Sequence, residues 1–90
     1  MIDNAGILDL NKSIQDNIFD FRVGAMPAQV TSFFETVIAD GILSRLEPVE
    51  FQRFQQLLKA CLQALLHKDY LYLADLLQYE VLPLLAKATQ

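Results

Sequence analysis

The sequence predicts an all-α protein, a small four-helix bundle with an antiparallel hairpin of the third and fourth helices as its core. Three observations predict it. Apolar residues recur at spacings of three and four in four separate segments. Proline stands near the first turn of two of those segments, at Pro27 and Pro48. Glycine or a short acidic residue stands at their junctions, at Gly24, Gly41 and Asp69.

The first segment runs from about Asp3 to Val23. Ile7, Leu10, Ile14, Ile18 and Phe21 form its apolar stripe, and most other positions are polar. So narrow a stripe predicts a helix on the surface of the bundle. Its end carries a competing signal. Phe19, Phe21 and Val23 alternate with Asp20 and Arg22, which is a strand pattern, so residues 19–23 read either way.

The second segment runs from about Pro27 to Asp40, with Val30, Phe33, Phe34 and Val37 on one face, Ile38 on its edge and Gly41 as a C-terminal cap. Past the glycine the phase breaks, so Ile42, Leu43 and Leu46 read as a connector with buried anchors.

The third helix is expected from Pro48 to about His67. Glu47, Glu50 and the proline suit its N-terminus in charge and geometry. Phe51, Phe54, Leu57, Leu58, Cys61, Leu62, Leu65 and Leu66 make one broad apolar face, with Arg53, Gln56, Lys59, Gln63 and His67 opposite. Asp69 is placed to cap the fourth helix, Tyr70 to about Ala88. The short connection between them makes the pair a hairpin. Pro83, inside the fourth helix, is expected to bend it near Tyr79, four residues earlier.

On a helical wheel the fourth helix has two apolar sides. Tyr70, Leu73, Ala74, Leu77, Val81, Leu84 and Leu85 face one way, while Tyr72, Leu76, Tyr79, Leu82 and Pro83 face the other. A helix apolar nearly all round is normally central. Either the first two helices cover the second side, or another chain does. In the latter case Tyr72, Leu76, Tyr79 and Leu82 form the interface, and Tyr72→Glu or Leu76→Glu should disrupt assembly without unfolding the chain. A two-fold homodimer is the commonest such arrangement.

Ninety residues are expected to form a single helical domain, 1–90. The 53% apolar content is too high for a disordered segment. Seven basic against eleven acidic residues give a net charge of -4, and the basic ones are scattered. That excludes the local positive field a nucleic-acid partner or an anionic membrane surface would require. No apolar run approaches the roughly 20 residues of a bilayer span. Met1 to Leu10 holds two aspartates and no basic residue, unlike a signal peptide, so a cytoplasmic location is expected.

Candidate chemistry is sparse. His67 is the sole histidine, with no nucleophile or orienting group beside it in the sequence. Cys61, the sole cysteine, lies on the apolar face of the third helix and reads as a small buried hydrophobe. Asp16 and Asp20 stand four apart on the first helix and read as a solvated face. The three glycines make no phosphate loop. No catalytic, cofactor-binding or metal residues are therefore assigned.

In size and layout, the leucine-rich hairpin from Glu47 to Ala88 is similar to small helical secretion chaperones, including those of flagellar export. The similarity lies in that pattern and in no shared motif. It implies an acidic cytoplasmic bundle that holds an amphipathic segment of a secreted subunit. The leading expectation is thus a non-enzymatic protein–protein interaction module, a homodimer or other homo-oligomer binding a protein partner through an apolar helical surface. The alternatives are a regulatory or chaperone-like subunit stable only with its partner, and a ligand-binding or enzymatic domain with an apolar pocket.

Overall fold

The computed structural model describes residues 5–88. Among them the elements are α1 (Ala5–Phe19), α2 (Met26–Asp40), a 3-10 turn (Ile42–Arg45), α3 (Pro48–Leu66) and a last helical rod, 70–88. That rod is α-helical over Tyr70–Asp75 (α4), π-helical over Leu76–Val81, and α-helical again over Leu82–Ala88 (α5). The chain is a compact helical bundle, as its periodicity predicts, and no strand occurs among the described residues. The expected start of the first helix at Asp3 lies outside them.

The helix ends show why the chain breaks where it does. Gly41 has φ 80°, the left-handed conformation a side chain disfavours, and its N–H donates to Ile38 to close α2. Glu47 and Glu50 form a reciprocal capping box at the start of α3, where Glu50 accepts from the Glu47 N–H at 3.1 Å. Asp69 accepts from the Tyr72 N–H at 3.4 Å to start the last rod. The ambiguous stretch resolves as helix up to Phe19, followed by a turn. The strand-like alternation there has no strand to pair with among the described residues.

One core joins all the elements. Ile7, Ile14 and Ile18 from α1 meet Val30, Phe33 and Val37 from α2, and Phe54, Leu57 and Cys61 from α3 pack with Leu73, Leu77, Val81 and Leu85. Phe33 and Phe34 stack edge to face with centroids 5.2 Å apart, and Phe34 does the same with Phe54 at 5.9 Å. Ile42 anchors the connector inside the core. Phe21, expected in the stripe of α1, instead points outward and is 88% exposed.

The expected bend at Pro83 takes the form of a π segment. Pro83 has no N–H to donate and its ring would strike the Tyr79 carbonyl in a regular α-helix. The rod widens just before it, so the Leu82 N–H reaches Leu77, five residues back. Leu76 and Leu77, at the start of the π segment, both enter the core. A polar cluster braces the start of the π segment. Gln15 donates to the Ala74 carbonyl at 2.9 Å and to Asn11 at 3.2 Å, and Asn11 donates to Gln78 at 3.0 Å. Asn11 is the buried polar side chain of the core, and these bonds satisfy it.

Candidate functional site

The four side chains singled out from the sequence divide. Tyr72, Leu76 and Tyr79 come together in an open groove of about 380 Å³ between α3 and the last rod. Leu76 is buried and forms its floor with Leu57, while Tyr72 and Tyr79 stand on its walls. The exposed pair Arg53–Glu80, at 3.2 Å, rims it. Leu82 lies outside the groove, half-buried against the core. The apolar surplus of the rod is therefore smaller than its wheel implies, because α3 covers part of the second side at Leu76.

The surplus reappears on α3. Its broad apolar face is only half used by the fold. Phe54, Leu57, Cys61 and Ala64 are buried, but the flank beside them is not. Phe51, Leu62 and Leu66 remain exposed, with Leu58 and Leu65 half-buried between them. A wheel shows how wide an apolar face is, and only the neighbours decide how much of it they cover.

A second apolar groove, of about 490 Å³, lies at the end of the bundle where the α1–α2 turn meets the α3–α4 turn. Ile18, Phe19, Phe21, Val23, Tyr70 and Leu71 line it, with Lys68 and Asp69 among them. Phe21 and Lys68 are the non-glycine residues of the described chain with positive φ, at 59° and 57°. Each stands just past a helix end where glycine is usual. The bonds Arg22 N–H to Asn17 and Asp69 N–H to Ala64 close the two ends in the same way. Such conformations store on the order of 1 kcal/mol or more each and gather at working sites. Sequence reasoning missed this groove, although the misfit of Phe19 and Phe21 to the helical stripe was its trace.

The titratable candidates are dispersed. His67 caps the C-terminus of α3 at its exposed end. Asp20 pairs with Arg22 at 2.8 Å. No group of three His, Cys, Asp or Glu side chains among the described residues could hold a metal ion. No helix of the described residues is long and apolar enough to cross a membrane.

Cys61 is fully buried, and burial pushes its thiol up from 9.0 to about 12. An unfolded chain releases this proton above about pH 9, and the folded chain holds it until about pH 12. The folded state therefore binds more protons in that window, and stability falls as pH rises through it. At neutral pH the thiol is expected to resist a disulfide reagent until denaturant is added. Stoichiometric labelling of the native protein within minutes would contradict this placement.

The model of a family described as "Domain of unknown function (DUF8042)" matches residues 27–90, which takes in α2, α3 and the last rod. No curated protein and no solved structure matches the chain.

Proposed function

Because the chain belongs to this family, whose description names no activity, we propose from its surface that it is a non-enzymatic, cytoplasmic helical interaction module. It works as a homodimer and binds a protein partner through exposed apolar side chains. One observation carries the reading: Phe21 is held in a disfavoured backbone conformation, almost fully exposed, at the mouth of an apolar groove. A fold selected for its own stability would place glycine at this helix end. A phenylalanine there supports a site where an apolar partner segment covers it.

The same substitution tests both halves of that argument. Phe21→Gly is expected to stabilise the isolated chain by about 1 kcal/mol, since glycine adopts positive φ freely. It should also weaken capture of the protein that the wild-type chain retains in its own cells. Thermal melting measures the first effect and quantitative co-purification the second. A variant that loses stability, or that retains the same partner as well as the wild type, overturns the reading.

A further inference from the structure

We propose that two copies of this chain exchange α1, each laying it on α2 and the last rod of the other, with residues 20–25 as the hinge. This rests on the self-association proposed above and says how the dimer is built. Within one chain α1 packs on α2 and α4 and buries Ile7, Ile14 and Ile18. Asn11 and Gln15 tie it to the rod at Gln78 and the Ala74 carbonyl. The α1 of a second copy carries the same side chains and meets the same seat, so exchange sacrifices none of these contacts. The hinge then decides the balance.

The hinge favours opening. It is a short link between the end of α1 at Phe19 and the start of α2 at Met26. Its closed form holds Phe21 at φ 59°. The Phe21 N–H turns back to the Ile18 carbonyl at 3.1 Å, and the Arg22 N–H to that of Asn17 at 2.7 Å. A short hinge under strain invites exchange, because extension releases the strain. The closed form also leaves Phe19 64% and Phe21 88% exposed.

The hinge is complementary to itself. Once extended, residues 19–23 set Phe19, Phe21 and Val23 on one side and Asp20 and Arg22 on the other. Two such segments run antiparallel across a two-fold axis at Phe21. That register places Phe19 opposite Val23, Phe21 opposite Phe21 and Asp20 opposite Arg22, so apolar meets apolar and acid meets base. The Asp20–Arg22 pair made within one chain at 2.8 Å is re-formed twice between chains. The strand-like alternation, unpaired within one chain, pairs with its own copy. The exchange is reciprocal, so it closes as a dimer and does not propagate.

Sedimentation equilibrium of the full chain, refolded at a series of concentrations, is expected to show a dimer. Cross-linking reads the exchange. Chains bearing Gln15→Cys and chains bearing Gln78→Cys are unfolded together, refolded and treated with a short bifunctional thiol reagent. Both side chains bond to Asn11, one from α1 and one from the rod. Cys61 is buried and does not compete. In the exchanged dimer the α1 of one chain lies on the rod of the other, so the mixture should yield a covalent dimer. The hinge is tested at side chains already in solvent. Arg22→Asp sets acid opposite acid and should weaken dimerisation roughly tenfold, and adding Asp20→Arg should restore it. A wild type that refolds to monomer at every concentration overturns the self-association and the exchange together. A dimer whose mixture yields no covalent dimer overturns the exchange alone. A dimer indifferent to Arg22→Asp, or one that Asp20→Arg does not restore, overturns the pairing of the hinges.

Discussion

Leu76→Glu is expected to unfold the chain, not merely to disrupt its assembly. From the wheel, Leu76 and Tyr72 belong to the same outer side, and both substitutions look like surface changes. In the structure Leu76 is 6% exposed, at the floor of the groove between α3 and the last rod. A glutamate there must either stay charged without a partner or take up a proton, and it also removes apolar packing. The combined loss is on the order of 4 kcal/mol or more. A chain of ninety residues lies near the low end of the usual range of about 5–15 kcal/mol, so such a loss removes most of its stability. Circular dichroism should show most of the helix lost at 37 °C. Tyr79→Glu, at a side chain 71% exposed on the wall of the same groove, is the control and should melt close to the wild type. A folded, cooperatively melting Leu76→Glu would show that this residue is not packed between α3 and the last rod.

Phe33→Ala is expected to have a comparable effect through a different cause. Phe33 is fully buried and stacks edge to face on Phe34, which in turn stacks on Phe54. These rings link α2 to α3. Removing the first deletes its buried area and leaves a cavity that the neighbouring helices cannot fill without shifting. Such truncations cost about 3–5 kcal/mol. For a chain of this size the midpoint of thermal unfolding should fall by roughly 20 °C, taking about 4–8 °C per kcal/mol. Phe33→Leu keeps most of the volume and should recover much of the loss. A Phe33→Ala midpoint within a few degrees of the wild type would mean that the contact between α2 and α3 contributes little.

The two cases differ in how much of each was legible beforehand. Phe33 lies on the clean apolar face of α2, and its burial follows from spacing alone. The α2 helix runs Met26–Asp40 against an expectation of Pro27 to Asp40, and α3 runs Pro48–Leu66 against an expectation of Pro48 to about His67. These boundaries could be read because their causes are local: a proline in the first turn, a capping box, a glycine at positive φ. Leu76 could not be placed this way. Its place on the wheel, at the edge of the second side, does not say how far α3 reaches round the rod to cover it. Proline signals a distortion, but whether the rod kinks or widens depends on which side chains the surroundings can accept.

Of the proposed contact surface the sequence showed less. Tyr72, Leu76 and Tyr79 do share a groove, and Leu82 lies apart from it. The groove at the end of the bundle joins residues from 18–23 with residues from 68–71, a proximity that no local pattern encodes. The exposed flank of α3 was visible only as part of a face too wide to divide. What the residues by themselves determined is the helical class, the ends of α2 and α3, the hairpin and the main core positions, since periodicity and capping act over a few neighbouring residues. What the tertiary structure alone decided is which apolar side chains stay outside. Burial depends on the neighbours each helix face meets, and here those neighbours cover one half of the broad face of α3 and leave Phe51, Leu62 and Leu66 in solvent.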